Sequence, residues 1–178
     1  MGAATQHVAL LRGINVGGKN RLAMSDLRAY FEKAGALGVS TYIQSGNVVF
    51  TAAPRGASPV CEAVTGEIRE HHGFEVPIVC RSAFALREIV ERCPFEDREN
   101  VHVVFLSAKP ANTTVATLAK DRSPGDTFVV VGDTMYLHLP NGMARTKLTN
   151  AWIDAQLKVT STARNWRTVT AMMEMCSA

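Results

Sequence analysis

The stretch Val39-Ser40-Thr41-Tyr42-Ile43-Gln44-Ser45-Gly46-Asn47-Val48-Val49-Phe50-Thr51 decides the reading of the fold. Two runs, 39–44 and 47–51, are rich in branched and aromatic residues, and Ser45-Gly46 between them is a two-residue hairpin signal. Toward the N-terminus, Met24 or Ser25 opens a helix whose apolar positions Leu27, Tyr30, Phe31 and Ala34 keep helical spacing up to Gly35. Before that helix, His7 to Ile14 is a short apolar run suited to a buried strand, and residues 15–20 carry turn chemistry. Toward the C-terminus, Pro54 to Pro59 reads as a loop, Val60 to His72 as a helix and Glu75 to Arg81 as a strand. Strand, helix, hairpin, helix, strand is the ferredoxin-like order, and it predicts an α+β fold.

A second series follows. A helix at 84–91 and a loop around Pro94 lead to a strand at 101–107, a helix at 114–120, a hairpin of 127–131 and 135–139 turning at Gly132-Asp133, and a helix at 148–157. That is the first order again without its last strand, so two related βαββα-type units packed together are expected. The division is 1–81 for the first unit and 82–178 for the second, the two either separate or intertwined as one domain. The identity of the two halves is not evident residue by residue, so the repeat is one of topology. A last helix at 166–175 places Val169, Met172 and Met173 on one stripe.

A chain of 178 residues is long enough to bury roughly 70% of its unfolded surface without staples. With 47% hydrophobic and 20% charged residues it has the composition of an ordinary globular domain, neither fibrous nor disordered. No window approaches the roughly 18 apolar residues of a membrane span, and the start lacks a basic segment followed by an apolar one. The expectation is a cytoplasmic protein. Its four cysteines, Cys61, Cys80, Cys93 and Cys176, have no metal-ligand spacing and are expected as reduced thiols. Asn112-Thr113-Thr114 matches a glycosylation acceptor that such a protein would never use.

Four blocks cover nearly the whole chain: HVALLRGINVGGKNRLAMSDLR at 7–28, TYIQSGNVVF at 41–50, YLHLPNGMARTKLTN at 136–150 and TARNWRTVTAMM at 162–173. In order and separation they resemble the signature blocks of the bacterial family called domain of unknown function 1697. The resemblance implies a bacterial protein with a two-lobed α+β fold containing ferredoxin-like elements. It carries no established catalytic residues. His138 and Leu139 depart from the aromatic or apolar residues expected before the Pro-Asn-Gly turn.

The net charge of +3 is small but uneven. From Arg55 to Lys109 acidic residues slightly outnumber basic ones, and the basic excess lies at the ends, with Arg12, Lys19, Arg21, Arg28 and Lys33 near the start and Arg145, Lys147, Lys158, Arg164 and Arg167 near the finish, where carboxylates are few. If the fold brings the ends together, they make one positive surface. Gly13, four residues, then Gly18-Lys19 is an imperfect phosphate loop. Asn20 stands where a hydroxyl must hold magnesium, the helix begins too late to meet a phosphate, and no strand ends in a suitable aspartate, so an NTPase is not the reading. An anion site is, with Arg12, Asn15, Lys19 and the amides of Gly17 and Gly18 along one wall. Cations also sit where they are unfavourable. Arg145 and Lys147 precede one helix, and Arg164 and Arg167 flank the next, although a cation near a helix N-terminus costs about 0.3–1 kcal/mol. A bound anion would pair with them, with Asn150 and Asn165 orienting it or else capping their own helices.

Gln44, Ser45 and Asn47 cluster at a hairpin tip, where they satisfy turn backbone or touch a polar ligand; Ser45 has no neighbouring base. His102 and His138 fall on neighbouring strands, but without a carboxylate or thiol at ligand spacing no metal is expected. His71-His72 complements a helix dipole. The first and third strands of an RNA-recognition sheet need exposed aromatics, and here those strands carry Val8, Leu10, Leu11, Val48 and Val49 with only Phe50 aromatic, while Trp152 and Trp166 suit a core as well as a single strand. The expected site comprises Arg12, Asn15, Lys19, Gln44, Asn47, Arg145, Lys147, Asn150 and Asn165. It would take a phosphate- or carboxylate-bearing small molecule, with no cofactor and no metal. Nucleic-acid binding through the basic ends and a protein-interaction surface at the Met-rich end stay open as alternatives. Oligomeric state and any reaction are not legible.

Overall fold

The computed structural model describes residues 4–53 and 56–177. The chain divides into two units, one of Met1–Glu88 with Ala171–Ala178 and the other of Ile89–Thr170. The first holds β1 (Thr5–Leu11), α1 (Met24–Lys33), β2 (Leu37–Tyr42), β3 (Asn47–Ala52), α2 (Ala57–His72) and β4 (Ile78–Ser82), after which α3 (Ala83–Glu91) begins. The second holds β5 (Val101–Leu106), α4 (Asn112–Ala116), β6 (Thr127–Val131), β7 (Thr134–His138), α5 (Asn150–Leu157) and β8 (Ser161–Asn165), followed by α6 (Trp166–Met175). The fold is α+β, with two four-stranded antiparallel sheets ordered β2-β3-β1-β4 and β6-β7-β5-β8.

The second series is therefore complete: β8 supplies the strand that was not expected. Ser161-Thr162-Ala163-Arg164-Asn165 lacks the branched apolar density of a strand, and its ladder comes entirely from β5, against which it forms an edge. The two ladders show that the repeat reaches to residue type. His7 pairs with Ser82 and Val8 with Arg81 in the first sheet; His102 pairs with Asn165 and Val103 with Arg164 in the second. Ser82 and Asn165 then do the same work. The Ser82 hydroxyl accepts the Ala85 amide at 3.1 Å and the Asn165 carbonyl accepts the Thr168 amide at 2.9 Å, capping helices that start without a connecting loop.

Each sheet carries its two helices on one face. In the first unit Ala9, Leu11, Val48, Phe50 and Ala52 meet Leu27 and Phe31 of α1 and Val60, Val64 and Ile68 of α2. Lys33 of α1 and Glu67 of α2 add an ion pair at 2.7 Å. In the second unit Val104, Leu106, Met135 and Leu137 meet Ile153 and Leu157 of α5, with Leu118 and Leu148 closing the cluster. Helix α2 begins at Ala57 rather than Val60, because Pro59 falls in the first turn, where a missing amide is harmless. Of the expected loop at 54–59, Pro54 and Arg55 lie outside the described residues. Helix α4 is a single short stretch, 112–116, where 114–120 was expected. Among the described residues no helix is long and apolar enough to cross a membrane.

Candidate functional site

The β2–β3 connection is longer than Ser45-Gly46. Tyr42 pairs with Asn47, so Ile43, Gln44, Ser45 and Gly46 all belong to the loop. Asn47 makes it so: its side-chain amide donates to the Tyr42 carbonyl at 3.1 Å and to the Ser45 hydroxyl at 2.9 Å, tying the loop shut from inside. Gly46 then lies against β1, with its carbonyl accepting the Leu11 amide at 2.9 Å. Ile43 adopts φ +50, a left-handed conformation that is a genuine outlier for a branched side chain. It is also 53% exposed, so no burial rewards that torsion. Strain of this kind persists where surrounding structure enforces it, and here it presents Gln44.

The segment after β1 meets this hairpin. Gly17 and Gly18 both have positive φ, and the Lys19 amide reaches the Val16 carbonyl at 3.0 Å, which makes residues 16–19 a tight reverse turn of the hairpin kind. The glycines thus fold the loop back on itself. Asn20, at φ +49, donates to the Gly13 carbonyl at 2.9 Å. Asn15, at φ +55, is the clamp of the whole arrangement. Its amide donates to the carbonyls of Leu22 and Gln44, both at 2.9 Å, and its carbonyl accepts the Leu22 amide at 2.9 Å.

Between the clamped loop and the hairpin opens a shallow cavity of about 510 Å³, lined by Asn15, Gly18, Arg21, Leu22, Ala23, Asp26, Gln44 and His72. Its floor is the start of α1. Ala23 is the N-cap there and no side chain caps the helix, so first-turn amides lack the usual side-chain acceptor. Arg21 brings a cation, Asp26 a carboxylate in the first turn, and His72 an imidazole held by the Tyr30 hydroxyl at 2.9 Å. Of the expected residues, Asn15 and Gln44 meet here. Arg12, Lys19 and Asn47 do not line the cavity, and Asn47 is fully buried under the hairpin.

Four expected residues belong to the second unit. Arg145 and Lys147 are exposed on the segment before α5, with the Lys147 amide bonded to the Ser123 hydroxyl at 3.0 Å. Thr149, not Asn150, caps α5, accepting the Trp152 amide at 3.2 Å. Asn150 faces Ser161 instead, at 3.5 Å. Asn165 caps α6 and borders a second cleft, of about 430 Å³, together with Arg98, Glu99, Trp166, Arg167 and Thr170. Arg98 lies over the Trp166 ring at 4.7 Å and is anchored by the Phe95 carbonyl at 2.7 Å. Arg164 is on β8 rather than at a helix start, bonded to the Thr162 hydroxyl, and burial pulls its pKa down to about 10.

The histidine pair separates. His102 is in register with Leu137 on the helix-covered face, whereas His138 is in register with Val101 on the opposite face. His138 bonds Asp97 at 3.0 Å and stacks on Phe95, while burial holds His102 below its ordinary pKa. Among the described residues no group of three or more histidine, cysteine, aspartate or glutamate side chains could hold a metal. Arg21, Asp26 and His72 were not in the expected site. Arg21 was legible as a basic residue just ahead of α1, but Asp26 and His72 reach the cavity only through the packing of α1 and α2.

The model of the family described as "Protein of unknown function (DUF1697)" matches residues 4–136, and the chain belongs to that family. Its fold is similar to the solved structure of a conserved bacterial protein from Streptococcus pneumoniae, with a TM-score of 0.73 over 98% of this chain and 99% of that one, at 22% identity. No curated protein matches the chain.

Proposed function

We propose that the protein is a binding protein whose first-unit cavity takes a small molecule bearing a phosphate or carboxylate. The observation that carries this reading is the uncapped start of α1 opening into a cavity that also presents Arg21. A helix N-terminus offers free amides and partial positive charge, and an adjacent guanidinium adds a paired donor for an oxyanion. Asp26 and Gln44 make the site amphoteric, so the ligand carries hydroxyl or amine donors beside its anionic group. The preformed loop supports binding over mere turn-making. Two clamping asparagines and a strained Ile43 hold the lining in place before any ligand arrives, which lowers the ordering cost of binding.

Each unit is read as ferredoxin-like, an arrangement that elsewhere binds RNA on its sheet. The small-ligand reading is preferred here because the sheet positions opposite the helices are closed: Val8, Leu10, Val103 and Phe105 are 0% exposed, leaving no platform for a base. The test is thermal stability against phosphate, sugar phosphates, nucleotides and amino acids. A ligand at a hundred times its dissociation constant adds about 2.7 kcal/mol. One anion class should stabilise the native protein, much less Arg21→Ala and Gln44→Ala, and as fully Arg145→Ala/Lys147→Ala in the other unit. No stabilisation by any anion, or equal stabilisation of Arg21→Ala, refutes the site.

A further inference from the structure

The cleft of about 430 Å³ beside the start of α6 lies wholly within the second unit. Its volume falls in the range of about 300–1,000 Å³ usual for small-molecule sites. Three charged side chains line it, Arg98, Glu99 and Arg167, and none of the three forms an ion pair among the described residues. Arg98 is nevertheless fixed. Its guanidinium lies 4.7 Å over the Trp166 ring, with Nε donating to the Phe95 carbonyl at 2.7 Å and Nη1 to the Val90 carbonyl at 3.4 Å. Those bonds use two of its five N–H groups, and the others have no acceptor among the described residues. Asn165 divides its side chain in the same way: the oxygen accepts the Thr168 amide, and the Nδ2 group has no acceptor among the described residues. Holding the connection between α3 and β5 accounts for the two carbonyl bonds of Arg98. It does not account for Arg167, a second cation that is exposed and unpaired at the same cleft. A guanidinium held by carbonyls and an indole, with no carboxylate to neutralise it, keeps its charge for a ligand.

We propose that this cleft is a second small-molecule site, taking a flat aromatic ring joined to a phosphate group, the chemistry of a nucleoside monophosphate. The phosphate pairs with the unused N–H groups of Arg98 and with Arg167. A guanidinium fork matches two oxygens at once, so a carboxylate would occupy one arginine, whereas the three terminal oxygens of a phosphate monoester can engage both. The ring lies against the wall made by Trp166 and the Arg98 guanidinium, since indole and guanidinium planes both accept a stacked base. The Asn165 Nδ2 group donates to the ligand, and the Glu99 carboxylate accepts from its hydroxyl or amine groups. The first-unit cavity is built differently, with one guanidinium, that of Arg21, and no indole. The two sites therefore select by different means.

The experiment titrates the full chain with adenosine, guanosine, cytidine and uridine monophosphates. Of the two tryptophans, Trp152 packs on Phe128 at 6.3 Å and does not line the cleft, so in Trp152→Phe the fluorescence reports Trp166 alone. At least one monophosphate should change it saturably, and Trp166→Phe, which keeps only Trp152, should show no saturable change. The parent nucleoside and ribose 5-phosphate each carry half of the ligand and should bind about tenfold more weakly or worse, because a stacked base and a charge-assisted contact are each worth about that factor. Arg167→Ala should weaken binding about tenfold with an unchanged urea midpoint, since that side chain has no protein partner among the described residues. Arg21→Ala, in the first-unit cavity, should leave the Trp166 response unchanged, so the two sites stand or fall separately. Equilibrium dialysis of the native and Arg167→Ala chains reads the same affinities with both tryptophans in place, which covers a Trp152→Phe chain that fails to fold. The proposal is overturned if no monophosphate binds, if ribose 5-phosphate binds as tightly as the monophosphate, or if Arg167→Ala binds as tightly as the native chain.

Discussion

Replacing Gly46 by alanine tests whether the hairpin is pressed against β1 as described, and Gly13 supplies a matched control. Both glycines have φ +76 in the same unit. A side chain in the left-handed region costs about 1–2 kcal/mol, partly offset by about 0.4–1 kcal/mol from the stiffer unfolded chain, so the torsion alone is worth about 1 kcal/mol. Nothing lies within 4 Å of a Cβ on Gly13, and Gly13→Ala should lose no more than that. A Cβ on Gly46 would stand 2.7 Å from Leu11 Cβ and 2.8 Å from Ile14 Cδ1. Ile14 can rotate its terminal methyl away. Leu11 Cβ cannot, since one bond ties it to the paired backbone of β1. Overpacking of this kind adds about 1–3 kcal/mol, bringing Gly46→Ala to about 2–4 kcal/mol. Urea denaturation followed by circular dichroism measures both variants, and with a slope of about 1–3 kcal/mol per molar the difference between them is readily seen. Equal midpoints for Gly13→Ala and Gly46→Ala would refute the close approach, and with it the placement of Gln44 at the cavity.

Asn15→Ala removes two hydrogen bonds within the 15–22 loop and one that joins it to the hairpin and should destabilise by about 1.5–4.5 kcal/mol at about 0.5–1.5 each; Asn15→Gly relaxes the torsion but does not restore the bonds, so comparable losses in the two, read by urea titration, would support the clamp. Tyr136 donates its buried hydroxyl to the Ile89 carbonyl at 2.7 Å, and Tyr136→Phe should cost about 1–3 kcal/mol by leaving that carbonyl unpaired. Burial, then Cys93, pushes the Tyr136 phenol up to about 12, so in an alkaline absorbance titration it should ionise later than a free tyrosine. The Asn100 amide and then His138 hold Asp97 below its ordinary value of 3.8. Its folded pKa is the lower one, so its contribution is complete above the unfolded value and lost as pH falls through the folded value. Asp97→Asn should therefore lose less stability than the native protein between pH values of about 5 and 2 in urea titrations, and an unchanged acid profile would contradict the contact.

Much of the core was legible before any coordinates. Leu27 and Phe31 at helical spacing, and the alternation through β3, fall on one face because side-chain period and backbone geometry are local properties. The same locality explains the misses. Ser161–Asn165 has little strand propensity of its own and is a strand because β5 offers it an open ladder. Asn165 caps its helix as one of the two readings held, while Asn150 does not, since Thr149 one residue earlier already fills the cap. His102 and His138 were rightly placed on neighbouring strands, but a one-residue offset in register sends them to opposite faces.

By itself the sequence determined the α+β class, the doubled topology, the family and the polar character of the 12–21 loop and the 43–47 hairpin, because each depends on patterns within a few consecutive residues. Only the tertiary structure decided that Asn15 spends its side chain on the Gln44 carbonyl and that Arg21, Asp26 and His72 share a cavity. Those outcomes are set by how helices lie on a sheet and by which strand pairs with which, and contacts between residues far apart in sequence have no local periodicity to announce them.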